Sequence, residues 1–151
     1  MIPDSFVTKF NDANKRLSQK VNLADLETAL RFLASQSVNT CLSIQPGDTG
    51  YAWSERKVVM VFMWRMNEAQ IRLRFLKRVS YRNSEITPGC FKEMRAFPLG
   101  KVMDKLNTWS EADDGITVNV NSLKPLKQLP KTFFTSGSKH GGDVFYSIWH
   151  L

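Results

Sequence analysis

Near the start of the chain, apolar residues return every three to four positions: Phe6, Phe10, Ala13, Leu17 and Val21. With Pro3 and Asp4 placed to open and cap a first turn, this spacing predicts a helix over about residues 4–20. Asn22 is then a good N-cap with Asp25 three residues on, and Leu23, Leu26, Leu30 and Leu33 form the apolar stripe of a second helix reaching about Ser35. After Ser37 the period drops to two. Val38, Thr40, Leu42 and Ile44 alternate with Asn39, Cys41, Ser43 and Gln45, which predicts a strand that ends where Pro46, Gly47, Asp48 and Gly50 break the run.

Residues 51–65 and 70–82 read as a hairpin turning around Asn67 and Glu68, with Arg65 facing Gln70. In that register Trp64 meets Ile71, Phe62 meets Leu73 and Met60 meets Phe75 on a core face. The opposite face then pairs Met63 with Arg72, Val61 with Arg74, Val59 with Leu76 and Lys57 with Arg78, so its apolar middle is rimmed by arginine. A slip of one residue would set the arginines beside Phe62 and Trp64, an arrangement expected to be unfavourable.

Further on, Thr87 and Pro88 suit a helix start that Phe97 and Pro98 interrupt, before Leu99, Val102, Met103 and Leu106 resume the stripe as far as Trp109. An acidic turn from Ser110 to Gly115 leads to a strand with Ile116, Val118 and Val120 inward. A lysine- and proline-containing connection follows from Ser122 to Pro130, then a candidate short strand from Lys131 to Thr135. The loop from Ser136 to Gly142, read as a hairpin connection, precedes a final strand, Asp143 to Leu151, whose Phe145, Tyr146 and Trp149 argue for a packed segment. The order ααβββααββ predicts one α+β domain over residues 1–151: two N-terminal helices, an antiparallel β-meander, a kinked helix and C-terminal strands, with the antiparallel sheet covered by helices on one side.

Composition adds size and charge to this picture. A chain of 151 residues that is 42% hydrophobic can build one real core. Its net charge of +7 favours polyanionic partners, and the whole excess sits between Arg56 and Arg82, where eight basic residues face the single acid Glu68. The first twenty residues hold no continuous apolar run, and the longest such run, Val58 to Trp64, is far short of the roughly 20 residues a membrane helix needs. No membrane association is expected. Cys41 and Cys90 stand in separate segments without close ligand partners, so neither a disulfide framework nor a zinc site is indicated, and a cytoplasmic, reducing setting is the simpler expectation.

Candidate chemistry centres on arginine. Arg72, Arg74, Arg78 and Arg82 share one parity on a single predicted strand, a row able to match successive phosphates or the acidic side chains of a protein, and equally an ordinary solvated outer face. Lys57, Arg65 and Lys139 complete the candidate binding set. Tyr51, Trp53 and Tyr81 flank it and could stack on bases or simply pack in a core. The loop bearing Lys139 and His140 could cradle a phosphate, although its glycine spacing is not that of a P-loop. Glu111, Asp113 and Asp114 lack calcium-loop spacing, and Cys41 and Cys90 have no identifiable base.

No catalytic residue, cofactor or metal is assigned on this basis. The leading expectation is a small, basic, non-enzymatic protein whose arginine-bearing sheet face contacts nucleic acid mainly through phosphates. One alternative is an antagonist or assembly factor, of the kind carried by phages and mobile elements, that lays the same face on an acidic or nucleic-acid-binding protein. Another is a small nuclease or toxin using His140.

Overall fold

A computed structural model describes residues 2, 4–15, 21–47, 60–76, 115–135 and 143–150. Helix α1 (Asp4–Asn14) forms where the three-to-four spacing places it. Phe6 and Phe10, one turn apart, are both buried, and their rings stack with centroids 6.4 Å apart. Residues 16–20 of the expected helix lie outside the described residues. Helix α2 (Leu23–Ala34) starts at the expected cap: the Asn22 side chain accepts a hydrogen bond from the Asp25 amide at 2.8 Å, supplying one of the partners a helix start lacks. Leu26, Leu30 and Leu33 are buried along it with Ala29 and Ala34, whose small side chains let the helix lie close to the sheet.

Among the described residues six strands follow: β1 (Thr40–Pro46), β2 (Met60–Arg65), β3 (Gln70–Leu76), β4 (Gly115–Asn119), β5 (Phe133–Phe134) and β6 (Val144–His150). Their order in the sheet is β4-β3-β2-β1-β6-β5. β1, β2 and β3 make the expected antiparallel meander, β4 adds antiparallel to β3, and β6 adds antiparallel to the free side of β1. β5, however, runs parallel to β6, so the sheet is mixed rather than purely antiparallel and the expected hairpin between these two strands is absent. The parallel register brings Phe133 beside Val144 and Phe134 beside Phe145, and the latter two rings meet edge to face at 5.5 Å. Aromatic contact thus accompanies this short pairing. The chain belongs to the α+β class, with helices and a six-stranded mixed sheet.

Helices α1 and α2 contribute to a core built on one face of the sheet. Leu42 and Ile44 of β1, Val61 and Met63 of β2, Ile71 and Leu73 of β3, Val118 of β4 and Val144 of β6 meet Phe6, Phe10 and the buried row of α2 there. Ile116 and Val120 also join it, so the inward parity expected for this segment holds, although Val120 already belongs to a short 3-10 turn (Val120–Ser122).

The hairpin β2–β3 exists, but its register is not the expected one. The ladder pairs Met63 with Leu73, Trp64 with Arg72, Phe62 with Arg74 and Arg65 with Ile71, a slip of one residue from the pairing that set Phe62 against Leu73. Val61 and Met63 therefore face the helices, while Phe62 and Trp64 share the opposite face with the arginine positions. The turn explains the shift. Asn67 accepts the amides of Ala69 and Gln70 through its side-chain oxygen, each at 2.9 Å, and the Gln70 carbonyl takes the amide of Met66 at 3.0 Å. This side-chain-closed turn occupies one residue more than the symmetric loop assumed from sequence. Because β2 is apolar on both faces, its own pattern does not oppose the slip.

After the 3-10 turn, residues 123–132 form a strap fastened to α2. The Leu126 amide donates to the Arg31 carbonyl at 3.0 Å, the Arg31 Nε donates to the Lys124 carbonyl at 2.8 Å, and the Ser35 hydroxyl donates to the Leu126 carbonyl at 2.9 Å. Among the described residues, no helix is long and apolar enough to cross a membrane.

Candidate functional site

The face away from the helices is best followed along the ladder from β6 to β4. One row runs Trp149, Cys41, Trp64, Arg72, Thr117; the next runs Ser147, Ser43, Phe62, Arg74, Gly115. Burial is complete in the middle, where Cys41, Trp64 and Phe62 have 0% exposure and Ser43 has 3%. It relaxes outward to a half-buried Arg72 and an exposed Thr117. Arg72 thus stands half-buried beside a buried layer and does not frame an open apolar patch, and Arg74 occupies the next β3 position of the same parity. Val61 and Met63, expected beneath them, belong to the helix-side core. The Trp64 indole Nε1, fully buried, finds no hydrogen-bond acceptor among the described residues.

Arg65 lies elsewhere. At the end of β2 on the helix side it is 9% exposed, and its guanidinium donates to the backbone carbonyl of Ala34 at 2.8 Å and to that of Gln36. These carbonyls belong to the last residue of α2 and to the turn beyond it. A helix leaves its final carbonyls without internal partners, and a cation there also complements the negative end of the macrodipole. Arg65 further reaches the Glu68 carbonyl at 3.4 Å and its exposed carboxylate at 4.0 Å, tying the β2–β3 turn to the same point. Next to it Asn39, at φ 70°, occupies the left-handed region that asparagine tolerates, and its amide donates to the Arg65 carbonyl at 2.8 Å. Arg65 is a clasp between helix and sheet.

The remaining candidates divide by position. Lys57, Arg78, Arg82, Lys139 and His140 lie outside the described residues, as do Tyr51, Trp53, Tyr81, Cys90 and the acidic trio Glu111, Asp113 and Asp114; so does the expected kinked helix over residues 87–109. Cys41 is a free thiol, and burial pushes its ionisation far above the ordinary thiol range, so it is a poor nucleophile. The His150 Nδ1 lies 3.2 Å from the Thr40 hydroxyl. At the start of α2, partial burial raises the pKa of the Asp25 carboxyl, the Asp143 charge raises it further, and the Asn22 backbone hydrogen bond pulls it back. Among the described residues no three acids, histidines or cysteines cluster to hold a metal ion.

The clasp role of Arg65 was not legible from its residue type. Its only signal is that an arginine ends an apolar run immediately before a turn, and that signal becomes useful once the true register places it on the helix side. No family model, no curated protein and no solved structure matches the chain.

Proposed function

We propose that this chain is a non-enzymatic nucleic-acid-binding protein that holds phosphates with the arginines of β3. The observation that carries the reading is that Arg72 and Arg74 hold same-parity positions of β3, with Arg72 half-buried and paired across the ladder with the exposed Thr117 of β4, within the segment that supplies the chain's net charge of +7. Planar guanidinium groups suit phosphate oxygens, and charge neutralisation along a backbone gives affinity with little sequence readout. The buried centre of this face confines the contact to the side near β4. Arg65 is left out of the contact set because its guanidinium is engaged with backbone carbonyls. A protein partner is less well supported, since Val61 and Met63, which would have formed the apolar heart of such an interface, face the helices.

The test replaces Arg72, Arg74 and Arg78 together with Gln and follows binding of mixed-sequence single-stranded and duplex oligonucleotides across a salt series. The expected result is wild-type affinity that falls steeply with salt, and a folded variant with weaker binding whose logarithmic salt slope is shallower by about 0.7–0.9 per lost phosphate contact. A wild type that binds neither oligonucleotide at low salt, or a folded variant that binds as tightly as wild type throughout, overturns the reading.

A further inference from the structure

A second basic surface lies on the helix side of the molecule. From Gly115 to Gly142 the sequence contains no aspartate or glutamate, yet it carries Lys124, Lys127, Lys131 and Lys139. The first three belong to the strap over α2, and all three are exposed. Burial along the strap recurs at Leu123, Leu126, Leu129 and Phe133, which turn toward the protein, while the lysines and Pro125, Gln128 and Pro130 turn toward solvent. None of the three ammonium groups is ion-paired among the described residues. The strap is also held in place, since its backbone is bonded to Arg31 and Ser35 of α2 and α2's C-terminal boundary. Arg31 adds its charge beside Lys124, and Glu27 is the acid that lines the groove between them.

We infer that this strap is a second phosphate-contacting surface, which the nucleic-acid backbone meets through Lys124, Lys127 and Lys131. The inference rests on the nucleic-acid reading above and extends it to a surface distinct from β3. Three features favour a phosphate backbone over a protein. Lysine is depleted in protein interfaces, and the strap's leucines turn inward, leaving no apolar centre for a partner to desolvate. Point charges on flexible stems suit contacts that do not read sequence. For a partner of any class, the fixed strap backbone removes much of the ordering cost that a mobile basic segment would incur on binding. Because α2 lies on the opposite side of the sheet from Arg72, the lysine and arginine contributions are expected to add independently.

The experiment measures anisotropy of a labelled mixed-sequence oligonucleotide, single-stranded and duplex, with the full chain as wild type, as Lys124→Gln/Lys127→Gln/Lys131→Gln, and as the arginine triple variant. Circular dichroism checks that each is folded. The single charge reversal Lys127→Glu serves as a second, smaller perturbation. The strap variant is expected to bind at least about tenfold more weakly near physiological salt, with a slope shallower by about 2, and Lys127→Glu to weaken binding in the same direction. Unchanged affinity and slope in the folded strap variant, with loss in the arginine variant, overturns the strap inference and leaves the β3 reading standing. Loss in the strap variant alone supports the strap and removes the β3 surface. If wild type binds neither oligonucleotide, both fall. Displacement of the oligonucleotide by polyglutamate at equal charge concentration overturns the assignment to a nucleic-acid backbone.

Discussion

The two faces of the β2–β3 hairpin are built from neighbouring residues of the same two strands, yet they use arginine in opposite ways. On the helix side, Val61, Met63, Ile71 and Leu73 are apolar and buried, and the one cation, Arg65, is buried with them because backbone carbonyls at the end of α2 receive its protons. On the far side, Phe62 and Trp64 are equally buried, and Arg72, paired with Trp64 across the ladder, is half-buried beside them. A buried guanidinium is tolerable where it has acceptors, whereas a half-buried arginine can cover apolar surface with its stem. Side-chain type alone therefore does not say whether an arginine is mortar or contact surface.

The sharpest way to break this comparison is to empty each face in turn. Met63→Ala and Trp64→Ala are both expected to cost several kcal/mol, about 2–5 for the first and about 3–5 for the second, measured by urea denaturation. A loss below about 1 kcal/mol at Trp64 would mean that the far face is not a packed layer. Trp64→Phe should retain most of the stability lost by Ala, because the indole N–H it removes has no acceptor to lose among the described residues.

Arg65→Met comes next in size. Removing a charged donor from two backbone carbonyls should cost about 2–3 kcal/mol and speed amide exchange in the last turn of α2, with little effect on oligonucleotide binding. Binding that falls in a folded Arg65 variant as far as in the β3 triple variant would erase the division between clasp and contact.

The smallest effect is expected at the turn. Asn67→Ala removes the acceptor for two amides and should cost about 1 kcal/mol. It should also weaken the cross-strand contact between Met63 and Leu73, seen by NMR, relative to pairings of the symmetric register. A hairpin whose register is untouched by this change would locate the cause of the slip in the packing of Arg65 rather than in the turn.

Much of the local structure was legible because single residues announce it. Asn22 with Asp25 marks the start of α2, and the alternation at Leu42 and Ile44 marks the face of β1 turned to the helices. The register of β2 was not legible. Five consecutive apolar residues, Met60 to Trp64, satisfy either pairing, so the decision passes to the Asn67 turn and to the distant carbonyls that Arg65 reaches. The parallel pairing of β5 was hidden for a related reason: two residues carry no period, and a serine- and glycine-rich loop between strands resembles a hairpin loop. Of the candidate site, the shared parity of Arg72 and Arg74 is a matter of their spacing on one strand, while the burial beside Arg72 depended on long-range packing.

The order of strands has a consequence for how the protein is made. β1 sits in the interior of the sheet, hydrogen-bonded to β2 on one side and to β6 on the other, with Thr40 opposite His150. During synthesis, β2 is available soon after β1, but the strand that covers the other edge is translated about a hundred residues later. Until then the nascent sheet presents an unpaired edge strand bearing Leu42 and Ile44, the kind of template on which chains associate wrongly. Ribosomes that stall or terminate before residue 144 would leave that edge permanently uncovered, so truncated chains should depend on chaperones, or aggregate, far more than the intact one.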